Sequence, residues 1–218
     1  MTKNLRTIRR TRAGVVLGAL AVAAVITGTL AMQTASTAAS APTAPSAPSA
    51  APVAPPSGEV PRGDGGVLTE TDGTLPPGVS AFDDRYPGVT KLDAQLLAAV
   101  REAAMDAAHD GVDFFVYSGW RSPQYQERLL RDAVREYGSE AEAARWVASA
   151  DTSAHVSGHA VDIGPDAAMA WLGEHGARYG LCRIYDNEPW HYELRTSARD
   201  TGCPPSYPDP THDPRMQR

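Results

Sequence analysis

DTSAHVSGHAVDIG, residues 151–164, places two histidines and two aspartates around Gly158. Such a stretch is a solvated loop, a set of satisfied core histidines, or part of a metal centre. HAVDIG (159–164) is short and strand-like. In a strand Asp162 shares a face with Ala160, while His159 points to the opposite one and takes no metal role. His155 lies in the preceding loop, where Gly158 lets the chain turn back. Imidazole nitrogens and carboxylate oxygens suit zinc, which takes three protein ligands and keeps a fourth position for water when it is catalytic. A His-x6-Asp pair supplies only two ligands, so the rest of the chain has to be searched for the third.

NEPWHYE (187–193) offers it. Pro189 forbids an ordinary helix interior, so Glu188 and His191 are not the pair of a helical H-E-x-x-H site. A bend at Glu188-Pro189 followed by a strand brings both to one side of a pocket, with His191 as third ligand and Glu188 as a free carboxylate beside the metal. Trp190 alternates with His191 and reads as core. In SGWRSPQYQ (118–126), Arg121 stands between a strand end and a helix N-terminus, a place suited to meeting an anion or a developing oxyanion.

The surrounding pattern is α+β. KLDAQLLAAVREAAMDAAHDG (91–111) sets Leu92, Leu96, Val100 and Ala103 or Ala104 at helical spacing, and VDFFVYSG (112–119) is aromatic and β-branched, as in a strand. Ser122 then caps a helix with Pro123 at its first position. SEAEAARWVASA (139–150) and PDAAMAWLGEHGARYG (165–180) read as helices, LCRIYD (181–186) and PWHYEL (189–194) as strands. The expectation is one compact domain over 91–198, with a small, mainly antiparallel sheet flanked by helices. An irregular lead-in over 61–90 precedes it and a Pro-rich C-terminal tail over 199–218 follows.

The front of the chain differs. Residues 1–32 carry five basic residues and no acid, and 13–32 are twenty residues without a charge. They form a secretory signal peptide or a membrane anchor. Ala39-Ser40-Ala41 supplies a cleavage pattern, Arg9-Arg10 hints at twin-arginine export, and no cysteine closes the apolar run as a lipoprotein anchor would need. The basic residues precede the apolar run, so everything after it belongs outside the cytoplasm. Residues 33–60 are almost wholly Ala, Pro, Ser and Thr, a disordered linker biased to polyproline II. From residue 33 onward 15 basic residues face 26 acidic ones, a balance that repels nucleic acid. Membrane contact is expected only through the N-terminal segment, and the chain is expected to be a monomer. Of the two cysteines, Cys182 and Cys203, the simplest reading outside the cytoplasm is one disulfide, the alternative being two buried thiols.

Together SGWRSPQYQ, SAHVSGHAVD and EPWHYE resemble the S-G-x-R, S-x-H-x-x-G-x-A-x-D and E-x-W-H motifs of VanY-like zinc D-alanyl-D-alanine carboxypeptidases, a family that also holds VanX-type D-Ala-D-Ala dipeptidases. All three motifs occur in order within roughly residues 90 to 196. The resemblance implies that His155, Asp162 and His191 hold Zn2+, that Glu188 is the catalytic base, and that Arg121 stabilises the oxyanion. It places Ser153 and Gln126 against the peptide substrate. Glu193 stands where several relatives are expected to carry a basic residue. The implied activity removes the terminal D-Ala from peptidoglycan stem peptides. An endopeptidase, a dipeptidase of the same fold and a non-catalytic zinc-stabilised wall-binding module are the alternatives.

Overall fold

The structure is a computed structural model describing residues 67–217. The N-terminal signal or anchor, the 33–60 linker and the first part of the lead-in lie outside these residues. Four strands, β1 (Phe115–Ser118), β2 (Ala160–Gly164), β3 (Leu181–Arg183) and β4 (His191–Leu194), form one sheet in the order β1-β2-β4-β3, every pairing antiparallel. The helices are α1 (Pro87–Thr90), α2 (Ala94–His109), α3 (Pro123–Tyr137), α4 (Glu140–Ala143), α5 (Asp166–His175) and α6 (Ala198–Thr201). The domain is therefore α+β, with a small sheet.

Alternation along the strands divides the sheet into two faces. Val116, Val161, Ile163, Leu181 and Tyr192 join Leu96, Val100 and Ala103 of α2 and Ala168, Trp171 and Leu172 of α5 in the main core. Asp162, Cys182, His191 and Glu193 alternate with those residues and so stand on the other face, all four buried. Burying carboxylates and imidazoles on a sheet face costs free energy unless each finds a partner. The chain covers this face with loops and with its C-terminus rather than with a helix of the main core.

Helix ends follow the expected chemistry. Asp93 caps α2, accepting from Gln95 N at 2.9 Å, and Leu92 precedes the helix as a core residue. Ser122 caps α3 by accepting from Tyr125 N at 3.1 Å, Pro123 is its first residue, and Gly138 closes it at φ 82°. The helix expected over 139–150 is only one turn, Glu140–Ala143. Beyond it, Asn187 Nδ2 donates to Arg145 O at 2.7 Å and Gln126 Nε2 to Ala148 O at 2.9 Å. Contacts to side chains from elsewhere in the fold thus take over where helix propensity would have run on.

The lead-in and the tail are integral parts of the domain. Leu75, Val79, Ala81 and Val89 are in the main core. The proline-rich stretch 199–217 folds back across β3, bonded through the Cys182–Cys203 disulfide and a bridge between Tyr185 and Tyr207. Closing a loop of this length restricts the unfolded chain by about 3 kcal/mol in the chain-entropy model. Asp209 accepts from Arg145 Nε at 3.0 Å and from Thr211 N at 2.9 Å, tying the tail to the segment after α4. No helix among the described residues is long and apolar enough to cross a membrane.

One glycine sets the loop that carries His155. Gly158 has φ +75°, its carbonyl accepts from Asp93 N at 2.8 Å, and a Cβ there would sit 2.6 Å from Lys91 O. Gly111 also has positive φ, +74°, but open space around it. Replacing Gly111 with Ala should cost about 1–2 kcal/mol, the usual penalty for a side chain in that conformation. Gly158→Ala should cost clearly more, because backbone must also move. Denaturant titration of both variants checks this. Equal losses would mean that the Lys91 contact does not hold the loop.

Candidate metal centre

The site is a row across the sheet. Register places Ser118 of β1 opposite Asp162 of β2, and Asp162 opposite His191 of β4. An irregularity between Val116 and Ser118 shifts the end of β1 and turns Ser118 into this row. Asp162 and His191 thus meet because they are cross-strand neighbours, although 29 residues apart along the chain. His155 comes from the loop above. That loop is pinned by Arg121 N donating to His155 O at 3.2 Å and by Gly158 N donating to the same carbonyl at 3.1 Å.

Three donor atoms converge. His155 Nε2 lies 3.2 Å from His191 Nδ1, and each lies 3.4 Å from Asp162 Oδ1. Donors about 2.0–2.2 Å from a tetrahedral centre stand about 3.3–3.6 Å from one another, so this triangle has close to the size of one face of a zinc tetrahedron. The hydrogen bonds around it agree. His155 Nδ1 lies 2.8 Å from Gly119 O, a carbonyl that can only accept, which puts the proton on Nδ1 and leaves the Nε2 lone pair facing the triangle. His191 Nε2 faces Glu193 Oε1 at 3.4 Å, which leaves Nδ1 facing the same point. Asp162 Oδ1 is buried without a hydrogen-bond partner among the described residues. Two lone pairs and an orphaned carboxylate oxygen aimed at one another repel, and a cation between them removes the repulsion. The residues present fit a divalent metal.

Charge around the triangle reinforces this. Burial pulls the His155 pKa down and Arg121 adds to the effect, favouring the neutral ring that ligation needs. Burial opposes charge on His191 too, but Asp162, Glu193 and Glu188 outweigh it and raise its pKa to about 10. Asp162 is held well below the usual carboxylate range: burial opposes ionisation, and His155, His191 and Arg121 overcome it. The cluster selects positive charge at its centre.

Glu188 completes the open side. Its Oε2 is 3.7 Å from His191 Nδ1, the bend at Pro189 having brought both to one side as the sequence suggested. Burial raises its pKa to about 7, so at neutral pH it can both take and return a proton. Arg121 is buried and donates through Nε to Ser118 Oγ at 2.7 Å, through Nη2 to Asp162 Oδ2 at 2.7 Å and through Nη1 to Gln126 Oε1 at 3.2 Å. Two of its five N–H groups have no such bond among the described residues. Gln126 is almost fully buried and is spent on Arg121 and Ala148, orienting the arginine. Ser153 is buried in the His155 loop. His159 is exposed and stands apart, as expected, and Trp190 is buried beside the site. A groove of about 1150 Å3, lined among others by Tyr117, Arg183, Trp190 and Pro204, lies off the triangle.

Ser118, the Gly119 carbonyl and Glu193 were not singled out by their sequence as supports of the site. Ser118 and Gly119 stand inside a quoted motif, but only the strand register shows what they touch.

An α+β domain with a buried His–Asp–His triangle, an adjacent glutamate and an arginine bridging to the aspartate defines a metal-site class. Residues 89–196 match the family model described as VanY, D-alanyl-D-alanine carboxypeptidase, and the domain belongs to that family. A curated D-alanyl-D-alanine carboxypeptidase of Enterococcus faecalis is 32% identical over 151 residues, covering 58% of this chain and 56% of its own length. The chain thus spans little more than half of that relative. Among solved structures, a vancomycin-resistance D,D-pentapeptidase VanY variant in complex with Zn(II) is 31% identical, covering 47% of this chain and 72% of its own, with a TM-score of 0.45. The LD-carboxypeptidase LdcB is 21% identical, covering 59% and 71%, with a TM-score of 0.48.

Asp162→Ala removes the one carboxylate of the triangle. The full chain, equilibrated with zinc and desalted, should retain about one metal per chain by elemental analysis, and the variant close to none. Equal metal content in both would remove Asp162 from the ligand set.

Proposed function

We propose that the protein is an exported zinc D,D-carboxypeptidase that removes the C-terminal D-Ala from peptidoglycan stem peptides ending in D-Ala-D-Ala. The observation that carries this is the convergence of His155 Nε2, Asp162 Oδ1 and His191 Nδ1 beside a buried Glu188, in a domain of the VanY family. The family description and the name of the Enterococcus relative support the D-Ala-D-Ala terminus. The basic, then uncharged N-terminus supports export, as a cleaved signal or a membrane anchor, and the Ala/Pro/Ser-rich linker is suited to reaching into a wall.

His155, Asp162 and His191 hold the metal. Zinc bound there supplies Lewis acidity, which lowers the pKa of a water toward about 7 and polarises a carbonyl. Glu188, desolvated and poised near neutrality, takes the proton from the attacking water and returns it to the leaving amine of D-Ala. Arg121, fixed by Ser118 and Gln126, keeps Asp162 ionised through Nη2 and turns its remaining N–H groups to the oxyanion of the tetrahedral intermediate. Ser153, in the His155 loop, is assigned to the peptide by the family resemblance.

The test is incubation of the purified chain with a pentapeptide ending in D-Ala-D-Ala, products followed by mass spectrometry with and without a chelator. Loss of a single alanine, blocked by the chelator and restored by zinc, is the expected result. Loss of both alanines together indicates a dipeptide-releasing enzyme, an internal cut an endopeptidase, and an intact pentapeptide beside cleavage of a tetrapeptide assayed in parallel an L,D-specificity. Glu188→Gln should lower turnover by about 10²–10⁴-fold while zinc content stays the same. Full activity in that variant contradicts the assignment of the base.

A further inference from the structure

The family match ends at residue 196, yet the chain beyond it reaches the metal centre by two routes. The first runs through Glu193. Its carboxylate, 1% exposed, faces His191 Nε2 at 3.4 Å and accepts from Arg215 Nη1 at 2.6 Å and Arg215 Nη2 at 3.1 Å. Arg195 closes on the same carboxylate at 2.9 Å. The second runs through Tyr185, whose ring packs against the His191 ring at 5.2 Å between centroids. Its hydroxyl donates to Asp213 Oδ2 at 3.0 Å. The two routes join in the tail: Arg215 Nε also donates to Asp213 Oδ2 at 2.9 Å, and Asp213 is fully buried.

Each link has a physical consequence for His191. A carboxylate accepting from Nε2–H fixes the tautomer that leaves Nδ1 free for a metal, fixes the ring plane and makes the ring a stronger donor. That carboxylate is useful only if it stays ionised and does not rotate away. Fully buried, it needs cationic donors, and a bidentate guanidinium supplies two hydrogen bonds in a fixed fork. The Tyr185 ring, tilted against the imidazole, blocks the other direction of ring motion. A basic residue at position 193, as expected in several relatives, could not accept from Nε2–H. This chain has a carboxylate there and an arginine twenty-two residues later to neutralise it.

We propose that Glu193 and Arg215 are positioning residues: the C-terminal segment 199–217 clamps Glu193, and Glu193 orients His191 for the metal. The inference rests on the metal-centre part of the function proposed above and not on which peptide bond is cut. Arg215 acts through Glu193, so its effect on the metal disappears once Glu193 can no longer accept.

The experiment uses the full chain and no peptide. Zinc affinity is measured by competition with a chromogenic chelator, and the visible spectrum of the cobalt(II)-loaded chain reports ligand geometry. Glu193→Leu, Arg215→Met and the double variant are compared with the parent. Arg145→Met is the control, because Arg145 tethers the same tail through Asp209 without touching Glu193. Melting temperatures follow folding throughout. Glu193→Leu should weaken zinc by about 10–100-fold, the usual effect of removing such a partner, and shift the cobalt spectrum. Arg215→Met should move both readouts in the same direction, and the double variant should lose no more than Glu193→Leu alone. Arg145→Met should lower the melting temperature and leave zinc affinity unchanged. If the parent binds zinc and the first two variants match it, or if Arg145→Met weakens zinc as much as they do, the positioning role is overturned. A parent that binds no zinc overturns the metal centre and the positioning role together.

Discussion

Everything in the domain that concerns function depends on the cross-strand pairing of Asp162 with His191. Antiparallel register between β2 and β4 places the two side chains side by side on one sheet face and buries both. A buried carboxylate with one oxygen lacking a hydrogen bond and two imidazole nitrogens facing it is an arrangement that draws positive charge to its centre. A divalent cation supplies that charge by joining all three. Arg121 compensates the other oxygen of Asp162, so the aspartate stays ionised for that role.

Much of the remaining architecture holds this face in place. The main core on the opposite side fixes the strand register through Val161, Ile163 and Tyr192. The Asp93–Gly158 contact and the positive φ of Gly158 bring the His155 loop over the row, and the Gly119 carbonyl sets the orientation of its ring. The tail closes the far side with a disulfide, a buried aspartate and an arginine.

The residues that converge at the site, His155, Asp162, His191 and Glu188, were legible in the sequence because their signals are local: a glycine that turns a loop, a strand-like run after it, a proline that bends the chain before His191. The small antiparallel sheet and the caps of α3 were legible for the same reason. Residues 144–150 were not, because alanine-rich helix propensity was overridden by Asn187 and Gln126 bonding to backbone there. Gln126 was placed against substrate by resemblance, and its amide is engaged with Arg121 and Ala148 instead of standing open. The tail was read from its prolines as an appendage, since nothing in its composition shows that Asp213 is buried or that Arg215 pairs with Glu193. Such ion pairs join residues from opposite ends of the sheet and tail, and only the folded register reveals them.

The measurement that bears most directly on this account is zinc K-edge X-ray absorption on the full chain loaded with one equivalent of zinc. The account predicts a four-coordinate centre with two imidazoles and oxygen donors at about 2.0–2.2 Å. A six-coordinate, all-oxygen shell without imidazole scattering would contradict it, because the triangle of His155, Asp162 and His191 would then not be where the metal sits.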